Sequence, residues 1–102
     1  METQSPPAAT AEARVPTAAP RRYLGQLCKH FAHRLPVTLA EDHGQITFPA
    51  GVCRLDAEAE TLVLRATAGD EASLAGLQDV VARHLERFAF RDKPEVHWVR
   101  QS

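Results

Sequence analysis

Three of the five histidines in the sequence could share a ligand. His30 and His33 are three positions apart, so both lie on the same side of a helix. His84 comes from a second helical segment, and the three imidazoles converge if the two helices pack side by side. Three neutral imidazoles suit zinc or ferrous iron and leave one coordination position open. The pattern permits a metal site, with Cys53 as a further candidate ligand. The simpler interpretation makes His84 a boundary histidine whose ring packs and whose nitrogens are hydrogen-bonded.

The two cysteines are interpreted as core residues. Cys28 lies on the apolar stripe of the helix that carries His30 and His33, roughly 140–160° away from them around the helix axis. One metal ion therefore cannot easily combine Cys28 with either histidine. Both Cys28 and Cys53 face inward by pattern, as small buried hydrophobic residues do. A thiol redox role is a third interpretation, and it requires contact between the two side chains.

The sequence shows no established catalytic motif. It has no nucleophile elbow, no Cys-x-x-Cys pair and no Gly-rich phosphate loop, and its five glycines are not grouped. This favours a protein that is not an enzyme. It also predicts no cofactor, unless the histidines bind zinc or iron.

Charge is segregated along the chain. Residues 14–34 hold five basic side chains and no acid, whereas residues 35–82 hold eight acids against Arg54 and Arg65. If the helices are neighbours, they present a basic face decorated with histidines, and the alternative is a solvated surface of mixed charge. Such a face would suit an anionic small molecule or an acidic protein partner. The candidate binding residues are Arg22, Tyr23, His30, His33, Arg83, His84, Arg87 and Arg91.

Length and composition limit the class of protein. The 102 residues fit one domain, and a net charge of −1 argues against nucleic-acid binding. No apolar stretch approaches the roughly 20 residues that span a bilayer, and the N-terminus lacks the pattern of a secretory signal. Two cysteines do not make a disulfide framework, so we expect a cytoplasmic protein that does not act at membranes. Sheet edges make either a monomer or a homodimer plausible.

Periodicity predicts two helices. Thr17 is a plausible N-cap for a first helix to about His33, with Pro20 in its first turn. Asp70 is a plausible N-cap for a second helix that ends near Phe90. Each helix carries one apolar stripe, formed by Leu24, Leu27, Cys28 and Phe31 in the first and by Leu74, Leu77, Val81, Leu85 and Phe88 in the second.

Alternating segments predict the sheet. Four strands form an antiparallel meander over residues 37–40, 45–48, 52–57 and 61–68, and one apolar face of this meander must be covered. A short strand at residues 13–15 precedes Pro16, which places it at a sheet edge, and a last strand covers residues 95–99, where Trp98 is the largest apolar side chain. Residues 1–12 are expected to be a disordered tail, and residues 13–102 a single domain. The predicted fold is α+β, a two-layer sandwich with two helices packed on one face of a mainly antiparallel sheet of about five or six strands.

Several segments resemble a bacterial family known as domain of unknown function 2218. The resemblance runs in order through residues 13–100, and its most specific part is HLERFAFR at residues 84–91. The other matching segments are Arg22-Tyr23-Leu24, residues 27–33, Gly51-Val52-Cys53-Arg54-Leu55 and Val96-His97-Trp98. The resemblance implies a small bacterial protein without an established activity. It also implies a link to iron or siderophore metabolism, with a siderophore-interacting reductase as partner.

We therefore expect an accessory or binding module with a basic His/Arg helical face. The alternative is a small metal-binding protein that uses His30, His33 and His84.

Overall fold

The computed structural model describes residues 8–88 and 95–101 of the chain. Within these ranges the chain forms six strands and two helices. Their order is β1 (Ala9–Pro16), α1 (Pro20–Phe31), β2 (Val37–Leu39), β3 (His43–Phe48), β4 (Gly51–Glu58), β5 (Thr61–Ala68), α2 (Glu71–Phe88) and β6 (Val99–Gln101).

The six strands form one sheet in the order β2-β3-β4-β5-β1-β6, with antiparallel neighbours throughout. The predicted meander is present as β2 to β5, because each of these strands is joined to the next by a short connection. Both helices pack on one face of the sheet, α1 over β2 to β5 and α2 over β1, β4 and β5. The predicted α+β fold is confirmed.

The core lies between this face and the helices. In β4 and β5 most of the side chains predicted to face inward are buried, with Cys53 and Leu55 facing Leu62, Leu64 and Ala66 on the neighbouring strand, and Val63 on the other face of β5 is buried as well. The inward residues of β1 are small, namely Ala9, Ala11, Ala13 and Val15, and all of them are at most 4 % exposed. Small side chains let α2 lie close to this strand, where it contributes Leu74, Leu77, Val81 and Leu85.

Helix α1 buries the predicted stripe but has different ends. It begins at Pro20, and Thr17 is not its N-cap; the Thr17 Oγ1 accepts a hydrogen bond from the backbone N–H of Ala19 at 3.1 Å. It ends at Phe31, two residues before His33, and in the turn that follows the N–H groups of Arg34 and Leu35 both donate to the Phe31 carbonyl. This compact turn directs the chain into β2.

Gly44 lies where α1 meets the sheet. The predicted strands over residues 37–40 and 45–48 left Gly44 in the turn between them. In the structure β3 already begins at His43, and Gly44 is buried. A Cβ atom at this position would stand 2.8 Å from Cys28 Sγ and 3.0 Å from the Thr38 carbonyl oxygen. The missing side chain therefore lets α1 approach β3 closely.

Helix α2 begins as predicted. The Asp70 Oδ1 accepts a hydrogen bond from the Ser73 N–H at 2.7 Å, which is the contact of an N-cap residue. This bond lowers the pKa of the Asp70 carboxyl. The helix is described as far as Phe88, and the predicted end near Phe90 lies outside the described residues. Neither helix, over the part of the chain that the structure describes, is long and apolar enough to cross a membrane.

The N-terminal strand is longer than predicted. Strand β1 starts at Ala9, so residues 9–12, assigned to the tail from sequence, pair with β5 in the register Ala9↔Ala68 to Glu12↔Arg65. The rest of the predicted tail, residues 1–7, lies outside the described residues. The predicted edge position is wrong for the strand as a whole, because β1 lies between β5 and β6. It pairs with β6 only from Thr10 to Glu12, so among the described residues no strand lies beside Pro16 on that side, where its missing N–H costs nothing.

The last strand begins later than predicted. Strand β6 starts at Val99, and residues 95–98 are not in the sheet. The apolar residues Val96 and Trp98 alternate with polar ones for a different reason, which is that both side chains pack, half-buried, against the core. Arg100 anchors β6 through an ion pair with Glu71 and a 2.9 Å bond to the Thr10 carbonyl.

Candidate functional site

The C-terminal ends of α1 and α2 meet at one end of the molecule. The ring centroids of His30 and His84 are 5.0 Å apart, those of Phe31 and His84 are 4.8 Å apart, and those of His30 and Phe88 are 5.3 Å apart. The helices thus bring together two of the three predicted histidines. The other predicted histidine, His33, follows the end of α1 and lines the same depression.

This depression, which we call the histidine cleft, has a volume of about 420 Å³. It combines four apolar side chains with three imidazoles and one guanidinium. The lining residues are His30, Phe31, His33, Arg34, Leu35, Phe48, Val80 and His84.

His84 is held in one orientation by the backbone of its own helix. Its Nδ1 lies 2.7 Å from the Val80 carbonyl oxygen, and because a carbonyl can only accept, Nδ1 carries the hydrogen. In the neutral ring the lone pair is therefore on Nε2. The predicted packing role of His84 agrees with this bond and with its half-buried ring, and Nε2 remains an acceptor.

His30 lies in a positive electrostatic environment. Partial burial lowers the pKa of His30, and the positive charges of His84, Arg87, His33 and Arg34 lower it further. Protonated imidazole is disfavoured here because neighbouring cations repel it. An anion bound in the cleft would reverse this effect.

Most cationic side chains of the described residues pair with acids elsewhere on the surface. These ion pairs are Arg14–Glu58, Arg21–Glu41, Arg54–Asp56, Arg65–Glu12, Arg83–Asp79 and Arg100–Glu71. Within residues 8–88 and 95–101, four basic side chains have no acid within ion-pair distance: Arg22, Lys29, Arg34 and Arg87. Two of these four are at the histidine cleft: Arg34 lines it, and Arg87 lies close enough for its charge to act on His30.

The predicted basic face is divided in the structure. Arg22 lines a separate depression with Arg21 and Glu58, at the start of α1 and about 12 Å along the helix axis from His30. Tyr23, one of the candidate binding residues, is only 8 % exposed and belongs to the core. Arg83 pairs with Asp79 at 3.2 Å, and it lines a depression beside the cleft together with His84 and Arg87. Arg91 lies outside the described residues.

Five residues of the cleft were not among the predicted binding residues, namely Phe31, Arg34, Leu35, Phe48 and Val80. Arg34 immediately follows His33 but lies beyond the helix end, so helical periodicity does not predict the position of its side chain. Phe48 and Val80 come from β3 and α2; Phe48 was predicted only as the end of a strand, and Val80 was not singled out. The basic Arg34 next to two histidines was the one signal in the sequence.

The four candidate metal ligands do not form one group. Among the residues that the structure describes, no three His, Cys, Asp or Glu side chains are placed to hold one metal ion. Cys53 lies in the core and does not line the cleft. His30 and His84 are neighbours, and they are the pair to which a metal could bind.

Both cysteines are free, buried thiols. Burial raises the pKa of Cys28 to about 11. Burial, with a contribution from Cys28, raises the pKa of Cys53 to about 12. Neither thiol ionises near neutral pH, so neither is an activated nucleophile.

The fold and the cleft describe a small α+β protein with a basic, aromatic depression between two helix ends. Residues 12–99 match the family DUF2218, described as an uncharacterized protein conserved in bacteria, and the chain belongs to this family. The chain is similar to PA4090 from Pseudomonas aeruginosa, solved by NMR, with 35% sequence identity and a TM-score of 0.76. That similarity covers 89% of this chain and 95% of PA4090. No curated protein matches the sequence.

Proposed function

We propose that this protein is a non-enzymatic binding module that takes an anionic ligand in the histidine cleft. The observation that supports the proposal is the position of Arg34 and Arg87. Among the described residues these two cations have no acidic partner; Arg34 lines the cleft, and Arg87 lies beside it in the depression that shares His84.

The charges favour an anion over a metal cation. Arg34 and Arg87 add positive potential at His30, which repels a cation and attracts an anion. The concave shape favours a small molecule, because an acidic protein partner needs a much wider contact, about 800 Å² on each side.

Basic side chains near helix C-termini have a second effect, which any test must separate from binding. Lys29 and His30 lie in the last turn of α1, and Arg87 lies in the last turn of α2. The charges of Lys29 and Arg87 stabilise their helices by interacting with the helix dipole, typically by about 0.3–1 kcal/mol for each residue at an exposed site, whereas His30 contributes only when it is protonated. Variants must therefore be compared for stability as well as for affinity.

The test is a titration of isotope-labelled protein with inorganic pyrophosphate at constant ionic strength, followed by amide NMR shifts. We expect saturable shifts confined to residues 29–35 and 80–88. Arg34→Gln and Arg87→Gln should each weaken binding about fivefold, the effect of losing about 1 kcal/mol of charge interaction.

Arg22→Gln is the matched control, because Arg22 is equally unpaired among the described residues but lies outside the cleft. It should leave the affinity unchanged. If Arg22→Gln weakened binding as much as Arg34→Gln, or if the shifts were scattered over the surface, the proposal would be wrong.

The biological setting of this binding is also a proposal. The family resemblance supports a place near iron or siderophore metabolism, with a siderophore-interacting reductase as partner. Calorimetry between the two purified proteins, with Arg34→Gln as the variant, tests this setting. A heat of binding that is absent, or that the variant leaves unchanged, would contradict it.

Metal binding is a second candidate function, favoured by one observation. His84 donates its Nδ1 hydrogen to a backbone carbonyl and leaves Nε2 bare, as metal-ligating histidines do, and His30 is its neighbour. Zinc and ferrous iron titrations should then shift the imidazole resonances of His30, His33 and His84 at micromolar metal. His84→Gln should abolish that response, and a weak or scattered response in the unmodified protein would make these histidines structural.

A further inference from the structure

The histidine cleft has an apolar part and a polar part, and a simple inorganic anion would contact only the polar part. One part is apolar and comes from Phe31, Leu35, Phe48 and Val80, which belong to α1, the turn after it, β3 and α2. The other part is polar and carries the Arg34 guanidinium and the imidazoles. Phosphate alone would satisfy the cations and leave the apolar part in contact with water.

The apolar part is built largely from rings that meet at steep angles. The Phe31 and Phe48 centroids are 5.0 Å apart with an interplanar angle of 71°, and Phe31 meets His84 at 4.8 Å and 54°. Aromatic rings favour edge-to-face contacts such as that of Phe31 with Phe48, and a further flat ring could extend this arrangement. The volume of about 420 Å³ lies in the range of small-molecule sites.

We propose that the ligand class of the histidine cleft is an arenecarboxylate, a flat aromatic body that carries one carboxylate. Its ring would pack against Phe48 and Val80, and its carboxylate would face Arg34, whose planar guanidinium can bind both carboxylate oxygens. This inference rests on the proposed anion-binding function and specifies its ligand.

The test compares three probes of related shape and charge. They are 2-naphthoate, which has ring and charge, acetate, which has the charge alone, and 2-naphthamide, which has the ring without the charge. We expect 2-naphthoate to bind at least tenfold more tightly than either of the others, because only it uses both parts of the cleft. Intermolecular NOEs should connect its ring protons to the Val80 methyl groups and the Phe48 ring.

Two variants with one control test the position of the ligand. Val80→Thr keeps the side-chain shape but places a hydroxyl in the apolar part, and it should weaken 2-naphthoate several-fold while leaving acetate unchanged. Arg34→Gln should weaken both anions and leave 2-naphthamide unchanged. Val52→Thr, a matched change on the sheet face opposite the helices, should alter none of the three affinities, and thermal melting verifies that every variant is folded.

The outcomes separate this inference from the proposed function. Equal affinities for 2-naphthoate and acetate, with pyrophosphate still bound at residues 29–35 and 80–88, would overturn the arenecarboxylate and leave anion binding standing. Equal affinities for 2-naphthoate and 2-naphthamide, both insensitive to Arg34→Gln, would overturn the arenecarboxylate, and the proposed function would be wrong as well if pyrophosphate did not shift residues 29–35 and 80–88. Failure of all three probes to bind at millimolar concentration would also overturn the inference, and the pyrophosphate titration then decides the proposed function alone.

Discussion

Gly44→Ala tests the close contact between α1 and β3. The added Cβ would stand 2.8 Å from Cys28 Sγ, 3.0 Å from the Thr38 carbonyl oxygen and 3.3 Å from Leu24 Cδ1. Cys28 and Leu24 are at most 1 % exposed, so neither has free space into which it can move. The helix must shift away from the sheet, or the strand must bend.

The expected cost follows from two opposing effects. Overpacking of a buried site costs about 1–3 kcal/mol. Replacing a strand glycine by alanine reduces the conformational entropy of the unfolded chain, which returns about 0.5–1 kcal/mol. We expect a net loss of about 1–2 kcal/mol, which lowers the melting temperature of a domain this size by roughly 5–15 °C.

A double-mutant cycle identifies the contact responsible. Cys28→Ala alone removes a fully buried sulfur and should cost about 1 kcal/mol. The combined Gly44→Ala/Cys28→Ala variant places a carbon close to the space that the sulfur leaves. Urea unfolding should therefore show the double variant to be more stable than the sum of the single changes by about 1–2 kcal/mol.

The control is Gly76→Ala in α2, where nothing lies within 4 Å of the added Cβ. It should stabilise the protein by about 0.5–1 kcal/mol, because alanine is the better helix former. If Gly44→Ala were neutral, or if the effects of Gly44→Ala and Cys28→Ala simply added, the close packing of α1 on β3 would be refuted.

Three other predictions follow from the titrating groups and the helix cap. Because the folded protein lowers the pKa of His30 below 6.5, the unfolded chain binds this proton more readily, so stability should fall as pH decreases below about 6.5; urea unfolding of His30→Gln should show a weaker decrease. The Cys28 and Cys53 thiols should resist iodoacetamide at pH 8 and react only in denaturant, as mass spectrometry can check; rapid alkylation of the native protein would contradict their burial. Asp70→Ala should lower the melting temperature by a few degrees and Asp70→Asn by less, since asparagine keeps an oxygen for the Ser73 N–H; equal losses would argue against the cap.

Features of local origin could be predicted from the sequence. The stripe of α1 from Leu24 to Phe31, the alternation in β4 and β5, and the Asp70 cap depend on residues within a few positions of one another. In each case apolar spacing or a single hydrogen bond decides the structure. These predictions are confirmed.

The two ends of the chain could not be predicted in the same way. Ala9, Ala11 and Ala13 have low strand propensity, and they are buried only because β5 and α2, far along the chain, cover them. Among the described elements, β6 pairs only with β1. Because residues 9–12 of β1 were not predicted to be a strand, the start of β6 could not be predicted either.

The candidate site could be predicted only in part, because several of its residues come together through contacts between distant parts of the chain. His30 and His84 were expected to meet if the helices were neighbours, and their rings are 5.0 Å apart. Arg34, Phe48 and Val80 joined them only through tertiary packing, and Arg22 was separated because it lies at the opposite end of α1. Whether these residues bind a ligand remains a prediction.

The pairing of β1 with β5 also affects how fast and in what order the chain can fold. Strands β2 to β5 join neighbours along the chain, so their contacts close short loops at a small cost in entropy. The pairing of Ala9 with Ala68 encloses α1 and the whole meander, and the β1–β6 edge must wait for β1. We expect the meander and α1 to assemble first and the β1–β6 edge to close last, so that the amide hydrogens of β6 exchange before those of β4.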